Sequence, residues 1–407
     1  MLYRKNPRNG DNLSQLGFGC MRLPRKGAGV DIKRSTEIVH SAIEQGMNFF
    51  DTAYIYPGSE AAVGQILSGG WREKVFISTK MPLFLVRSEK DFDKFFAKSL
   101  ERLKTDYIDY YMLHMLTDFA YFDKLRSLGI IDWIKKEKAS GRIKNIGFSF
   151  HGSYDSFKKI IDAYDWEFCM IQYNYLDQNH QAGTAGLKYA HSKNLPVIIM
   201  EPLRGGKLAT VPNEALKEFH AVNKERTPAD WALRWLWNAP EVTVVLSGMS
   251  NEEQTKQNIK TASEATVGAM TDEESGAIKK AVGVIKSSIK VNCTGCGYCM
   301  PCPANVDIPE AFSRYNESAL LGRFNIIKSY MMSAGVLAEK PQFASQCIKC
   351  GKCEKHCPQG IKIIDTLSDA RKYLQPFWVK AGATVLRRFT VGGVKNKNKK
   401  YNKTNSK

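Results

Sequence analysis

Eight short apolar runs alternate with amphipathic stretches over the first 262 residues, and this alternation leaves few folds open to the chain. The runs are Leu16–Leu23, Phe49–Ala53, Val75–Lys80, Ile108–His114, Ile143–Phe150, Phe168–Tyr173, Pro196–Pro202 and Val242–Gly248. Most are hydrophobic nearly throughout, as strands covered on both faces must be. The segments between them have helical spacing. In Arg87–Leu103, the residues Phe92, Phe95, Phe96, Leu100 and Leu103 share one face, and Ser88 with Asp91 has the spacing of a capping box. Eight such strands, each followed by a helix, predict a closed (β/α)8 TIM barrel. An open dinucleotide-binding sheet is the competing α/β fold, but no G-x-G-x-x-G follows a strand and the count of eight favours closure.

The chain has 407 residues, more than one barrel needs, and its last third differs in composition. Of its ten cysteines only Cys20 and Cys169 precede residue 290, while eight lie between Cys293 and Cys357. A secreted disulfide scaffold is small and cysteine-dense throughout, so this uneven placement argues for metal. Met1 to Asn12 is polar and basic, without the apolar core of a signal peptide, and no run of 18 apolar residues predicts a membrane span. The expected compartment is the cytoplasm. The formal net charge of +18 invites a nucleic-acid reading. However, Lys380 to Lys407 holds nine Lys/Arg and no acid, so half the excess sits in one Gly- and Asn-containing tail. That tail is expected to be a disordered, solvated arm with no specific nucleic-acid partner.

Active sites of α/β barrels lie at the C-terminal ends of the strands. Asp51 ends the second run and Tyr56 follows it, Lys80 ends the third, and His114 ends the fourth. Four ionisable residues at three consecutive strand ends converge on one mouth. In this order and context they resemble the catalytic tetrad of the aldo/keto reductase family, and the resemblance covers about residues 1–262. It implies an oxidoreductase that interconverts a carbonyl and an alcohol with NADP or NAD. Such chemistry needs an acid for the carbonyl oxygen. A phenol, with an ordinary pKa of ~10, serves at neutral pH only beside a cation that stabilises the phenolate. On the family's pattern Tyr56 is that acid, Lys80 its tuner, Asp51 the group that orients Lys80, and His114 a proton relay or carbonyl-orienting group. Singly, each could be a packed residue with a satisfied hydrogen bond. Tyr54 lies off the D-x-A-x-x-Y spacing and is expected to wall the pocket.

The resemblance also implies nicotinamide contacts. Ser149 and Gln172 close the fifth and sixth runs, where the family holds the carboxamide; an Asn usual after the Ser is replaced here by Phe150-His151. Pro202, Leu203, Arg204 and Gly205 match a loop along the pyrophosphate, with Arg204 either a phosphate contact or a surface arginine. In many relatives the segment after strand eight carries a Lys and an Arg that clamp the 2′-phosphate of NADPH. Those places hold Gly248 and Gln254 here, with Ser250 and Asn258 as further cofactor contacts.

Cys293, Cys296, Cys299 and Cys302-Pro303 form one cysteine group, and Cys347, Cys350, Cys353 and Cys357-Pro358 another. The second is C-x₂-C-x₂-C-x₃-C-P, the bacterial ferredoxin run, and the first has x₂ before its last cysteine. In such runs three thiolates hold one cubane and the fourth reaches the other. One [4Fe–4S] cluster is therefore expected on Cys293, Cys296, Cys299 and Cys357, and a second on Cys347, Cys350, Cys353 and Cys302. Structural zinc is the alternative, but zinc uses paired C-x₂-C hooks and leaves the third cysteine of each triplet unexplained. The C-x₃-C-x₂-C loop of radical-generating barrels is absent. Between the groups, Phe312, Leu320, Leu321, Phe324, Ile326, Ile327, Met331 and Met332 suggest two short helices. The module thus resembles the α-helical ferredoxin type, and the whole chain resembles a branch of aldo/keto reductases carrying one. Cys20 and Cys169 are expected to be packed strand thiols, and His356 a solvated neighbour.

The expected organisation is a barrel over 1–270, a connecting helix over 271–290, an iron–sulfur domain over 291–375 and the basic tail over 376–407. Two functions stay open. One is a carbonyl–alcohol oxidoreductase whose clusters exchange electrons with a redox protein partner or serve structure. The other is an electron-transfer or docking protein whose barrel turns over no nicotinamide. Nicotinamide passes two electrons as hydride while each cluster moves one, and no flavin motif is present to couple them.

Overall fold

The computed structural model describes residues 1–27, 29–318, 323–334, 336 and 340–379. The chain divides into two compact units, Met1–Val282 and Gly283–Lys407.

In the first unit all eight expected strands form: β1 (Leu16–Gly19), β2 (Phe49–Asp51), β3 (Phe76–Met81), β4 (Ile108–Leu116), β5 (Ile143–Phe150), β6 (Phe168–Gln172), β7 (Val197–Met200) and β8 (Val242–Ser247). Each pairs in parallel with the next, and Val245 of β8 pairs with Leu16 of β1 to close the barrel. Helices such as Ile32–Glu44, Lys90–Leu103 and Pro228–Trp237 surround it. The alternation of side chains along a strand separates two apolar layers. Phe49, Tyr110, Met112, Phe168, Met170, Ile198, Val244 and Leu246 fill the barrel interior. Their neighbours Phe50, Tyr111, Leu113, Cys169, Ile171, Ile199 and Val245 face the helices. Gly147 is required by this filling, since a Cβ there would stand 2.5 Å from the carbonyl oxygen of Phe168 and 2.7 Å from its ring. Below the interior, an antiparallel pair of Tyr3–Lys5 with Asn12–Ser14 caps the barrel, and the Tyr110 hydroxyl donates to Asp11 at 2.6 Å.

Two local expectations need correction. Cys20 is buried but lies in a 3-10 turn just past β1, because the strand ends at Gly19. Ser88 and Asp91 do not form a reciprocal capping box. The Asp91 carboxylate accepts from the backbone N–H of Arg87 and Ser88 at 2.8 and 2.9 Å, but the Ser88 hydroxyl donates to the same oxygen instead of accepting from the helix.

The second unit is helical, with Ile308–Glu317, Arg323–Ser333, Lys352–Lys355 and Ile363–Leu374. The Asp307 carboxylate caps the first of these by accepting from the N–H of Glu310 at 3.0 Å. Phe312, Ile326, Ile327 and Met331 are buried in its core with Val291, Val306, Tyr330 and Leu367, whereas Phe324 and Met332 are exposed. Leu320 and Leu321 lie outside the described residues. The helix expected to connect the units spans Asp272–Ser288, and the boundary between the units falls within it. Val379 packs into the second core, so Pro376–Val379 belongs to that unit; the basic tail from Lys380 lies outside the described residues. Among the described residues no helix is long and apolar enough to cross a membrane.

Candidate active site and cysteine centre

Strand alternation brings the site residues together. Asp51 follows Phe49, Lys80 follows Phe76 and Ser78, and His114 follows Tyr110 and Met112 at even spacing, so all three point inward above the interior layer. The Lys80 ammonium donates to both Asp51 oxygens at 2.6 Å and to the Thr52 carbonyl at 2.7 Å. The Ser78 hydroxyl donates to Asp51 at 2.9 Å. Tyr56 stands on the loop after β2, held by backbone bonds from Tyr56 N–H to Ala53 and from Ser59 N–H to Tyr56. Its ring lies 5.2 Å from the Lys80 ammonium and edge-on to His114 at 6.1 Å between centroids. Lys80 and His114 are buried at 1% and 2% exposure while Tyr56 is half-buried, so the phenol is the member of the set that meets solvent. Tyr54, expected as a pocket wall, instead packs edge-on against Phe95 with the Arg102 guanidinium over its ring.

Burial pushes the Asp51 carboxyl up and the Lys80 ammonium down, and their mutual attraction opposes both shifts. With the Thr52 carbonyl and Ser78 hydroxyl also aimed at the pair, the charged form is the one these contacts satisfy. Burial first, then the Lys80 charge and the neighbouring His151, hold His114 well below the usual histidine range, so its neutral form is favoured at physiological pH. The Cys20 thiol is pushed up by burial and by Asp51.

His151, buried and pushed down by burial to about 4, makes a testable contribution to stability. An unfolded histidine takes up a proton near pH 6.5. Between there and about 4 the unfolded chain binds a proton that the folded chain does not, so stability falls as the pH drops. We expect about 2 kcal/mol to be lost from this residue between pH 7 and pH 5. Urea unfolding should show that loss shrinking in His151→Gln; an unchanged pH dependence would refute the assignment.

Ser149 and Gln172 also point inward, in phase with Gly147 and Met170. The Ser149 hydroxyl accepts from Met115 N–H at 2.9 Å. Gln172 donates to Asp177 at 3.2 Å and accepts from Gln181 at 2.9 Å. Arg204 is no surface arginine: it is buried, with its Nε donating to Asp177 at 2.8 Å. Asp177, which also accepts from Asn174 at 3.2 Å, is a hub the sequence reading did not single out. An aspartate in a loop carries no periodicity, so only its contacts mark it. Pro202, Leu203 and Gly205 lie with Arg204 in the turn after β7, where Gly205 has φ 70° and Arg204 φ 51°. Gly248 follows β8 beneath the side-chain stem of Arg22, whose Cδ would stand 3.2 Å from a Cβ there. The Gln254 carbonyl accepts from Ser250 N–H at 2.9 Å, and Asn258 donates to the Ser247 hydroxyl at 3.0 Å. A surface cleft of about 630 Å³ near Glu101, Asp106 and Arg142, at the opposite ends of β4 and β5, contains none of these residues.

The profile of the aldo/keto reductase family matches residues 15–282. The chain belongs to the aldo/keto reductase family. An aldo-keto reductase of Mycolicibacterium vanbaalenii is 30% identical over 246 residues, covering 58% of this chain and 82% of its own. An NADH-specific methylglyoxal reductase of Escherichia coli is 23% identical over 296 residues, covering 61% and 89%. Among solved structures, the holo form of aldo-keto reductase AKR11C1 from Bacillus halodurans superposes with a TM-score of 0.58 at 27% identity, covering 69% of this chain and 96% of that one. A 4Fe-4S dicluster domain profile matches residues 292–361. This is therefore an aldo/keto reductase with an iron–sulfur module.

In that module the two cysteine groups repeat one backbone conformation. Gly295 and Gly297 have φ 70° and 80°, and Lys349 and Gly351, at the equivalent places, have 56° and 72°. The turns also repeat a hydrogen bond, from Gly295 N–H to Cys293 Sγ and from Lys349 N–H to Cys347 Sγ, both at 3.4 Å. Burial and the nearby Cys296, Cys293 and Cys357 push the Cys299 thiol up, so the last cysteine of the second group lies within electrostatic range of Cys299. Conversely, a cavity of about 190 Å³ is lined by Cys302 together with Cys347, Cys350, Cys353 and Cys299. Among the described residues no three His, Cys, Asp or Glu side chains are grouped as the ligands of a single metal ion. His356 is exposed.

Proposed function

We propose that this aldo/keto reductase interconverts a carbonyl and an alcohol at Tyr56 with NAD(P)H, and that its module holds two [4Fe–4S] clusters for electron transfer. The observation that carries the first part is the Lys80 ammonium, pinned by Asp51 and the Thr52 carbonyl beneath the ring of the half-buried Tyr56. A bound nicotinamide supplies the hydride, and Ser149, Gln172 and the 202–205 turn are the residues to hold it, with Ser250, Gln254 and Asn258 near its adenine end. Tyr56 Oη gives its proton to the substrate oxygen, and Lys80 stabilises the phenolate left behind. Asp51 keeps Lys80 charged and in place. A neutral His114 fits a hydrogen bond that orients the carbonyl better than a charged relay. Titration with NADH and NADPH, read by nicotinamide fluorescence, tests the reading, and failure of both to bind would sink it. That outcome would favour the electron-transfer reading, which the missing Lys–Arg pair at Gly248 and Gln254 keeps open.

The same titration checks a prediction on cofactor choice. No basic side chain stands at Gly248 or Gln254, and Glu252 and Glu253 occupy the first turn of the helix that follows. Discrimination between NADPH and NADH should therefore stay within about tenfold, or ~1.4 kcal/mol; one relative is itself described as NADH-specific. A thousandfold preference for NADPH would refute this and point to Arg22, whose stem covers Gly248.

A further inference from the structure

The two cysteine loops differ sharply in what they show to solvent. From Asn292 to Val306 the first loop has no charged residue, and Cys293 and Thr294 are buried. In the second, Cys350 is exposed and Ile348 is 65% exposed. Around them Lys349, Lys352, Lys355 and Lys362 are all exposed. None of these four ammonium groups has an ion pair or hydrogen bond among the described residues. The single acid of the segment, Glu354, is turned inward and accepts from Ile364 N–H at 2.8 Å. The nearest acids along the chain after it, Asp365 and Asp369, lie on the next helix, and Asp369 is paired with Lys372.

Four exposed lysines without ion pairs among the described residues, close in sequence to one exposed isoleucine, give this segment a positive potential beside an apolar point. An apolar centre ringed by one sign of charge has the character of a transient docking face. The charges speed and orient encounter while the small apolar centre makes the contact. We propose that Ile348, Lys349, Lys352 and Lys355 form the docking face for an acidic electron-carrier protein, set over the second cysteine group. The inference rests on the two-cluster reading above. It adds that the lysine-bearing Cys347–Cys353 loop, and not the uncharged Cys293–Cys299 loop, is the side a partner meets.

The test is calorimetric binding of oxidised flavodoxin, as the acidic probe, to the anaerobically reconstituted full chain at low ionic strength, with iron and sulfide counted on each sample. K349E/K352E/K355E should weaken binding at least about tenfold, and the difference should shrink as salt is raised. I348S should weaken it with little salt dependence. K279E/K286E/K328E makes the same change in net charge at exposed sites elsewhere and should leave the affinity unchanged. Equal losses in the two triple variants would reduce the effect to net charge and overturn the proposal, as would absent flavodoxin binding or equally tight binding of basic cytochrome c. A reconstituted chain holding no iron would overturn the cluster reading itself, an outcome the metal count separates from failure of the docking face alone.

Discussion

Tyr56→Phe is expected to lower carbonyl reduction by about 10²- to 10⁴-fold while leaving nicotinamide affinity within a few fold. The substitution removes one oxygen and keeps the ring that lies edge-on to His114 and over Lys80. The buried Asp51 and Lys80 keep their bonds to each other, to the Thr52 carbonyl and to the Ser78 hydroxyl. Packing and cofactor contacts are therefore preserved, and what is lost is the proton for the developing alkoxide. Such a loss lowers kcat and kcat/KM together and hardly moves ground-state binding. The measurement is steady-state reduction of an aldehyde or dicarbonyl by wild type and variant, alongside nicotinamide affinity from fluorescence. Turnover near wild type on any carbonyl the enzyme reduces would remove Tyr56 from the acid role.

The barrel was legible because its strands are buried on both faces. Continuous apolar runs such as Ile108–His114 and Val242–Gly248 mark such strands without any need for alternation, and the strand count then selects closure. Asp51, Lys80 and His114 were legible for a related reason: each breaks an apolar run at its C-terminal end, where a charge has no purpose in a packed core. What stayed hidden depends on side-chain direction in loops. Nothing in Tyr54's position separates it from Tyr56 except motif spacing, and only the fold shows it turned toward Phe95 and Arg102. Asp177 gathers Gln172 from the end of β6, Asn174 from the loop after it and Arg204 from the turn after β7, a convergence no linear pattern encodes. The Ser88–Asp91 pair had a cap's spacing, yet the carboxylate took backbone N–H groups preceding the helix and left the serine hydroxyl as a donor. In the cysteine module the spacing marked a repeat, and both loops place left-handed residues, Gly295 and Gly297 in one and Lys349 and Gly351 in the other, before successive cysteines.

Crossed ligation carries the other large expected effect. If Cys302 serves the cluster of Cys347, Cys350 and Cys353, then Cys302→Ser should damage that cluster and leave the sequence-adjacent one largely intact. Cys357→Ser should do the converse. What motivates this is the nearness of Cys357 to Cys299 of the first triplet, and the place of Cys302 on the cavity it shares with the second triplet. Three cysteines two residues apart wrap one corner of a cubane, and the proline after each fourth cysteine turns the chain away toward the other. The first group reaches its fourth cysteine one residue sooner, at Cys302, and that shortening is the feature able to change the topology. Cys299 also lines the cavity near the second triplet, so the groups are close enough for the question to be real. Anaerobic reconstitution of the variants, with iron counted and each cluster's paramagnetic signal assigned against Cys296→Ser and Cys350→Ser, decides it. Crossed ligation requires Cys302→Ser to resemble Cys350→Ser. If it resembles Cys296→Ser instead, ligation is local and the shorter spacing has redirected Cys302; bound zinc would give neither signal nor visible absorbance.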